Sequence, residues 1–237
     1  MKLSIVIPAY NEEKYISVPL KSLSEQSFTD FEVIVCLNNC TDNTRGVVED
    51  IKAKTNLDIK IVEETQKGVS FARNTGFAYA QADIIASADA DTYYPKDWTE
   101  KIINNFENNN ILGVYGSVHM KSDKWYMRFS ARYLFTIFLK ISHFFGNYNI
   151  NGMNFAVRKE AFNKIGGFNT DWKSAEDIYI GLKLKEIGSV KFDRKMIVYT
   201  NDRRFKNDST SSLIYHIKNY INVFLKKKEP LDFSDIR

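Results

Sequence analysis

The amino-acid sequence predicts an α/β protein with a parallel sheet covered by helices on both faces. Two observations carry this prediction. In the first half of the chain, short apolar runs rich in β-branched residues alternate with segments of helical periodicity. The runs are continuously apolar, which is typical of parallel strands buried on both faces. A chain of 237 residues, 44% of them hydrophobic, is also long enough to bury a substantial core.

The first unit is a strand over 3–7 followed by a helix. Ile16, Leu20 and Leu23 recur at helical spacing and mark the apolar face of this helix. Asn11 precedes them and is a candidate N-cap, because an asparagine oxygen can accept a hydrogen bond from a free backbone N–H of the first turn.

The later units follow from the same reasoning. Thr41 or Asp42 is expected to cap the helix that carries Val47, Val48 and Ile51. The other predicted elements are strands over 31–37, 59–62, 83–88 and 196–200 and a helix over 69–81.

Two acids, Asp89 and Asp91, directly follow the fourth strand. Ligands of parallel α/β sheets bind beyond the carboxyl ends of the strands, and residues two apart in an extended chain point to the same side. The pair is therefore a candidate site for Mg²⁺ or Mn²⁺, hard cations that prefer oxygen ligands. The alternative is a polar turn in which Asp91 caps a helix.

Three loops, 8–13, 38–44 and 67–74, follow the first three strands and are expected at the same edge of the sheet. Together they could bind one extended ligand. Tyr10 could pack on a base, Arg73 could bind a phosphate or a base edge, and the helix N-termini after two of these loops favour anions. Taken singly, Tyr10 has the alternative of a packed aromatic and Arg73 that of a surface helix residue.

Four stretches together cover most of residues 3–188: "SIVIPAYNEEKYI", "EVIVCLNNCTDNT", "KGVSFARNTGFAYAQADIIASADADTYY" and "GMNFAVRKEAFNKIGGFNTDWKSAEDIYIGLKLKEIG". In this order and spacing they resemble the family 2 glycosyltransferases of the GT-A fold. The resemblance implies a Rossmann-type mixed, mainly parallel sheet flanked by helices and a nucleotide-sugar donor, and the helical spacing of the C-terminal residues adds a helical extension.

The resemblance also implies the donor site. Asp89 and Asp91 stand in the place of the family's DXD motif, where Asp89 also counts as a donor contact and both acids hold the metal that bridges the donor diphosphate. The loop after the second strand commonly reads Asp-Asp-Gly-Ser in the family but is Leu37-Asn38-Asn39-Cys40 here, so UDP cannot be assumed over GDP. The residues implied to surround the nucleotide are Pro8, Tyr10, Glu12, Asn38 and Arg73.

Glu176 and Asp177 match the family's acid pair at the start of a helix, behind the turn Gly166-Gly167-Phe168. The resemblance implies Asp177 as the general base that takes the acceptor hydroxyl proton, with Glu176 orienting the acceptor. A purely structural alternative places both acids at a helix start, where they stabilise the macrodipole.

The segment 125–145 is aromatic and apolar, with basic interruptions such as Arg128, Arg132 and Lys140. These interruptions and its limited length argue against a membrane-spanning helix. The plain interpretation is a helix packed on the core. The alternative is an acceptor-side or membrane-facing helix.

The C-terminal segment, 201–237, is predicted to hold a basic loop and an amphipathic helix. Arg203 and Arg204 are either a clamp on the donor phosphates or solvated loop cations. The helix ends at Lys226-Lys227-Lys228 and either docks on the protein or lies on a membrane surface. Its apolar stripe consists of Leu213, Ile217, Tyr220, Ile221 and Phe224.

The expected organisation is a catalytic domain over 1–200, with a donor-binding part over about 1–95 and an acceptor part over about 96–200. The expected function is metal-dependent, inverting transfer of a sugar from a nucleoside-diphosphate sugar to a hydroxyl of a carbohydrate or lipid-linked acceptor. The alternatives are a catalytically silent nucleotide-sugar-binding protein and a sugar-nucleotide nucleotidyltransferase. The latter ordinarily has a glycine-rich basic loop after the first strand, and "PAYNEE" is not one.

A formal net charge of +4 describes a mildly basic protein and does not indicate a nucleic-acid partner. The apolar run at the N-terminus is too short for a signal peptide, and no stretch has the length of a spanning helix. We therefore expect a cytoplasmic protein, with peripheral contact to the inner face of the membrane as a further expectation.

Overall fold

The structure is a computed structural model that describes residues 1–172 and 174–201. Arg203, Arg204 and the predicted C-terminal helix lie outside the described residues. The strands are β1 (Leu3–Ala9), β2 (Phe31–Asn38), β3 (Asp58–Glu64), β4 (Ile84–Ser87), β5 (Thr92–Tyr93), β6 (Ile111–Lys121), β7 (Phe155–Arg158) and β8 (Ser189–Asn201). The helices are α1 (Ser17–Ser24), α2 (Thr44–Lys54), α3 (Val69–Tyr79), α4 (Trp98–Asn105), α5 (Trp125–Phe129), α6 (Phe135–Phe144), α7 (Lys159–Lys164) and α8 (Glu176–Ile187), with a π-helical turn, Ser130–Leu134, joining α5 to α6.

All the strands form one mixed sheet in the order β3-β2-β1-β4-β7-β6-β8-β5. Parallel pairs join β1 to β2, β1 to β4, β2 to β3 and β6 to β8. β7 runs antiparallel between β4 and β6, and β5 runs antiparallel to β8. The predicted α/β class with a mixed, mainly parallel sheet is confirmed.

The sheet is covered on both faces, as continuously apolar strands require. On one face α1, α2 and α4 contribute to a core centred on the inward side chains of β1 and β2, with Trp98 fully buried. On the other face α3, α6, α7 and α8 pack a second core, in which Phe77 lies against Phe155, Phe162 and Phe168. Burial of this apolar area is the main stabilising contribution to the fold.

Three predictions of helix caps were wrong. Helix α1 begins only at Ser17, so Asn11 is not its N-cap. Instead Asn11 has a left-handed φ of 53°, and its Oδ1 accepts from the backbone N–H of Thr41 at 2.8 Å. Asparagine tolerates this conformation because its short polar side chain can hydrogen-bond locally.

The start of α2 also differs from the prediction. Its N-cap residue is Asn43 rather than Thr41 or Asp42. The Asp42 carboxylate nevertheless accepts from the backbone N–H of Thr44 at 3.1 Å, so it satisfies a donor of the first turn from one position further out.

The two acids that follow β4, Asp89 and Asp91, lie in a turn rather than in extended chain. Asp89 follows β4, Ala90 and Asp91 form the turn, and β5 begins at the next residue. The spacing rule for extended chain therefore does not apply to the pair. The alternative in which Asp91 caps a helix was wrong, because the next helix, α4, has Asp97 as its N-cap residue.

Candidate active site

Strands β1, β2 and β3 run parallel, so their carboxyl ends meet at one edge of the sheet. The loops beyond them are hydrogen-bonded to each other. The backbone N–H of Glu12 donates to Oγ1 of Thr44 at 2.8 Å, and that of Glu13 donates to Asp42 at 3.1 Å. The loops after β1 and β2 thus form one layer, in which Glu12 is buried.

Asn38, the last residue of β2, holds the third loop in place. Its amide nitrogen donates to the carbonyls of Glu64 and Gln66 at 2.9 and 2.7 Å, and its Oδ1 accepts from the N–H of Gly68 at 2.9 Å. The side chain therefore fixes the path of the chain from β3 into α3. An aspartate could not make the two donations, so the amide suits this position.

Tyr10 and Pro8 lie at the same edge and are partly exposed. The Nζ of Lys67 lies 5.3 Å from the centroid of the Tyr10 ring, within cation–π range. An aromatic face and an ammonium group therefore lie next to each other at this edge of the sheet.

Arg73 on α3 is the centre of the site. Its side chain is only 4% exposed, Nη2 binds Oδ1 of Asp89 at 2.8 Å, and Nη1 binds Oε1 of Glu176. Its Nε is buried and has no hydrogen-bond partner among the described residues. A buried guanidinium is tolerated here because two carboxylates compensate its charge.

The neighbour of Arg73 strengthens the same link between α3 and the second half of the chain. Asn74 accepts from the N–H of Phe168 and donates to its carbonyl, both at 2.9 Å. Gly166 and Gly167 precede Phe168 with φ of 81° and 77°, a conformation that favours glycine. The Gly-Gly-Phe turn is thus tied to the helix that carries Arg73.

Tyr94 fixes the backbone of the turn that holds Asp89 and Asp91, called the acid turn below. Its side chain is fully buried, its hydroxyl accepts from the N–H of Asp89 at 2.8 Å, and it donates to the carbonyl of Met153 at 3.2 Å. Burial raises the pKa of this hydroxyl well above its usual range, so it stays protonated and can donate. One hydroxyl therefore joins the turn of Asp89 to the loop before β7.

Asp177 lies in the first turn of α8, and the same loop reaches it. Its Oδ2 accepts from the backbone N–H of Gly152 at 2.8 Å, and its Oδ1 accepts from its neighbour Ile178. Burial raises the pKa of Asp177 to about 7, and the adjacent charge of Glu176 adds to this rise. The Arg73 guanidinium and the two amides act in the opposite direction.

The structure brings together the predicted residues Arg73, Asp89, Glu176 and Asp177, although they come from three separate parts of the chain. Asp91 is buried in the same turn as Asp89. Pro8, Tyr10, Glu12 and Asn38 lie along the neighbouring edge, while Arg203 and Arg204 are outside the described residues.

A family model described as Glycosyl transferase family 2 matches residues 4–166. The chain belongs to this family. The match confirms the resemblance seen in the sequence.

Relatives in family 2 are similar over different shares of the chain. The chondroitin synthase of Escherichia coli is 28% identical over 93% of this chain and 32% of its own length. The E. coli enzyme named UDP-Glc:alpha-D-GlcNAc-diphosphoundecaprenol beta-1,3-glucosyltransferase WfgD is 34% identical over 48% of this chain and 45% of its own length. The chain thus spans less than half the length of these curated relatives.

Solved structures share the fold. The mannosyltransferase PcManGT of Pyrobaculum calidifontis, in complex with GDP-Man and Mn²⁺, gives a TM-score of 0.75 at 22% identity and covers 95% of this chain and 64% of its own. TarS 1-349 of Staphylococcus aureus, in complex with UDP-GlcNAc, gives a TM-score of 0.68 at 21% identity and covers 94% of this chain and 66% of its own. These likenesses show a GT-A-type fold in the family 2 chain.

The acid turn of this family 2 chain has a suitable donor set for a divalent cation. Asp89 and Asp91 offer carboxylate oxygens, and Mg²⁺ is usually held by one or two carboxylates together with waters and substrate phosphates. In residues 1–172 and 174–201 no group of three or more His, Cys, Asp or Glu side chains could hold a metal. A cation here would therefore need phosphate or water oxygens to complete its coordination.

Three residues of the family 2 site, Tyr94, Gly152 and Ala175, were not predicted from the sequence. Gly152 begins the last of the four stretches that resemble the family, but its role in the structure is steric. A Cβ at this position would lie 2.7 Å from Cζ of Arg73. Ala175 precedes the acid pair with a left-handed φ of 57°, which a non-glycine residue seldom adopts. The glycine in "NGMNF" was a signal for close backbone approach, whereas Ala175 carried none.

No helix in the described part of this family 2 chain combines the length and the apolar character that crossing a membrane requires.

Proposed function

We propose that this chain is a metal-dependent, inverting glycosyltransferase that moves a hexosyl group from a nucleoside-diphosphate sugar to an acceptor hydroxyl. The observation that carries the proposal is the Arg73 bridge between Asp89 and Glu176. A donor at the acid turn and an acceptor at the acid pair of α8 would lie on two sides of one guanidinium. Such a joint site suits transfer, since much of the rate of a two-substrate reaction comes from positioning both reactants.

Asp89 and Asp91 are the proposed ligands of Mg²⁺ or Mn²⁺. When bound, the cation supplies positive charge that offsets the charge on the departing nucleoside diphosphate. One solved neighbour is a complex with GDP-Man and Mn²⁺ and another is a complex with UDP-GlcNAc, which supports a nucleotide-sugar donor.

The remaining donor contacts are proposed at the edge loops. The ring of Tyr10 offers a stacking surface for a base, and the adjacent Lys67 offers a cation for phosphate. Asn38 uses its amide to shape the third loop, so its proposed role is to form the wall of the nucleotide site. The other proposed donor contacts are Pro8, Glu12, Arg73 and Asp89 and, outside the described residues, Arg203 and Arg204.

Asp177 is the proposed general base, and Glu176 is proposed to orient the acceptor. In an inverting transfer the base takes the proton of the acceptor hydroxyl as its oxygen attacks the anomeric carbon, on the side opposite the departing diphosphate. A carboxylate with a pKa of about 7 suits this step near neutral pH, because a large fraction is ionised and it still holds a proton well.

The proposed acceptor is a carbohydrate hydroxyl on a lipid-linked carrier, met at the cytoplasmic face of a membrane. The name of the relative WfgD, which includes a diphosphoundecaprenol-linked sugar, supports a lipid-linked acceptor. A lipid-linked acceptor would bring the chain into peripheral membrane contact, and a soluble acceptor is the alternative.

Thermal shifts with UDP, GDP and their sugar derivatives, each in Mn²⁺ and in EDTA, test the donor site. A ligand that binds the folded state raises the unfolding temperature. We expect one nucleotide to stabilise the chain in Mn²⁺ only, and Asp91→Asn to remove this shift. The matched control is Asp97→Asn, which changes an exposed acid at the start of α4. Equal shifts in EDTA and Mn²⁺ would contradict the metal site, and no shift with any nucleotide would contradict the donor proposal.

A further inference from the structure

Exposed apolar side chains are concentrated in one segment, 125–145. Of the thirteen large hydrophobic side chains that are exposed among the described residues, nine lie in this segment. Phe144 is 84% exposed, and Trp125 and Phe145 are each 70% exposed. The others are Tyr126, Phe129, Tyr133, Leu134, Ile137 and Ile141.

The helix that carries these side chains is apolar on both sides. Its inner side buries Met127 and Leu139 against the protein, and the side away from the protein carries the exposed residues. A surface helix of a globular protein ordinarily has a polar outer face, whereas a helix that is apolar all round is covered on all sides. A patch of this kind marks a contact surface.

The same segment is cationic. Lys124, Arg128, Arg132 and Lys140 are exposed, and the sequence has no acid from 124 to 145. Elsewhere on the surface cations are often paired with acids, as Lys101 is with Asp97. Exposed apolar rings combined with unopposed positive charge are complementary to an anionic lipid surface, which attracts each nearby Lys or Arg and accepts aromatic rings among its headgroups.

We propose that this cationic-aromatic face, the exposed side chains of 124–145, binds the surface of an anionic lipid bilayer. The helix lies in the plane of the headgroups, with its aromatic rings inserted and its inner side still packed on the sheet. This arrangement agrees with the absence, in the described ranges, of a helix that could span a membrane. Charge favours lipid over a second copy of the chain, because two such faces would repel each other.

The cationic-aromatic face is close in the chain to the acid pair of α8. The loop after Phe145 packs on α8, where the carbonyl of Tyr148 contacts Gly181 so closely that a Cβ would not fit. Four residues after Tyr148, the N–H of Gly152 binds Asp177. A bilayer bound at this face would therefore lie next to the acceptor side. The assignment of a lipid-linked acceptor rests on the proposed function, but binding to the bilayer does not.

Co-sedimentation of the full chain with vesicles tests the inference without nucleotide or metal. The probe is vesicles of phosphatidylcholine and phosphatidylglycerol in equal amounts, compared with vesicles of phosphatidylcholine alone. We expect binding to the anionic vesicles at about 0.1 M salt and much less at about 1 M, where the Debye length falls to about 3 Å. Arg132→Gln with Lys140→Gln should weaken binding at low salt about tenfold or more, since each cation near the surface contributes about fivefold.

Two matched controls separate this face from general charge and hydrophobicity. Lys52→Gln with Lys54→Gln removes the same charge from the exposed end of α2 and should leave binding unchanged within about twofold. Trp125→Ser with Phe144→Ser should weaken binding about tenfold or more, because each inserted ring contributes apolar burial. The apolar control is Val18→Ser with Tyr79→Ser, two exposed residues elsewhere.

Three results would overturn the inference. The first is no binding to anionic vesicles at low salt. The second is binding that survives both pairs of changes in the cationic-aromatic face. The third is concentration-dependent dimerisation, seen by light scattering, that the Trp125→Ser and Phe144→Ser changes abolish while vesicle binding is absent. Loss of nucleotide binding in the thermal-shift experiment would instead contradict the proposed function and leave the vesicle result intact.

Discussion

The guanidinium of Arg73 lies between the carboxylates of Asp89 and Glu176, with Nη2 at 2.8 Å from Oδ1 of Asp89. Both acids would repel each other if the cation were absent, and the residue next to Glu176 is the proposed base, Asp177. Arg73 therefore connects the proposed metal turn to the proposed acceptor acids.

Arg73→Met should destabilise the fold by about 3–5 kcal/mol, because it leaves two largely buried carboxylates without their cation. Equilibrium unfolding in urea measures the change. Arg45→Met is the control: Arg45 pairs with Glu63 and Glu49 on the surface, where loss of an ion pair costs about 0–1 kcal/mol. Similar losses for the two variants would show that the Arg73 pairs are no stronger than surface pairs.

Asp177→Asn should lower turnover by about 10²–10⁴ while donor affinity stays close to that of the unchanged chain. The asparagine keeps an oxygen for the N–H of Gly152 but cannot take a proton. Nucleotide binding by calorimetry and product formation under saturating donor measure the two effects. Near-normal turnover would place the base elsewhere or indicate a retaining mechanism.

The pH dependence of the same step follows from the raised pKa of Asp177. The base must be deprotonated, so kcat should rise with pH and level off above an apparent pKa of about 7. In the folded chain the raised pKa disfavours the charged form, so its contribution to the free energy of unfolding falls as pH rises from about 4 to about 7. Asp177→Asn should remove both dependences, and a rate that is flat from acid to neutral pH would contradict the assignment.

Gly152→Ala should displace the Arg73 guanidinium, since the new methyl group would lie 2.7 Å from its Cζ. We expect weaker donor binding, because Arg73 is a proposed donor contact, and a lower kcat with a pH profile shifted to higher pH, because Arg73 helps to hold down the pKa of Asp177. A double-mutant cycle with Arg73→Met tests the route of the effect. If the alanine acts through Arg73, the two losses should not add, whereas additive losses would show that Gly152 acts independently of Arg73.

The sequence predicted the parallel part of the sheet well because β1, β2 and β4 are continuous apolar runs whose burial leaves few alternatives. Of β8 it predicted only the end. It did not predict β6, which is interrupted by Gly113 and Gly116. A glycine in a strand ordinarily weakens the pattern. In β6 a Cβ at Gly116 would collide with the backbone of Met196 on the neighbouring strand, so the glycine is a packing requirement that appears only after folding.

The residues of the candidate site likewise include some that the sequence predicted and some that it did not. The charged residues Arg73, Asp89 and Asp177 stand out in the sequence because charge next to apolar runs needs a reason. Gly152 acts through its backbone N–H and through the room that its missing side chain leaves for Arg73. Tyr94 acts through a hydroxyl that contacts backbone atoms. Both lie in stretches that resemble the family, but the contacts themselves, with Arg73 for Gly152 and with the backbone of Asp89 and Met153 for Tyr94, depend on residues distant in the sequence or on the folded turn.

Tyr94→Phe is the sharpest test of how the acid turn is held. The change removes the acceptor of the Asp89 N–H and the donor to the Met153 carbonyl while keeping the buried ring against Trp98. A buried N–H without a partner costs about 1–3 kcal/mol, so the free energy of unfolding should fall by that amount.

The matched control is Tyr115→Phe, which removes another hydroxyl of a fully buried tyrosine, bonded to His143 at 3.2 Å and not to the acid turn. Tyr115→Phe should cost a comparable amount of stability and leave Mn²⁺-dependent nucleotide binding unchanged. Tyr94→Phe should weaken that binding, because the backbone that presents the carboxylates of Asp89 and Asp91 is no longer fixed. If both variants bind nucleotide equally well in Mn²⁺, the hydroxyl of Tyr94 stabilises the fold but does not position the proposed metal ligands.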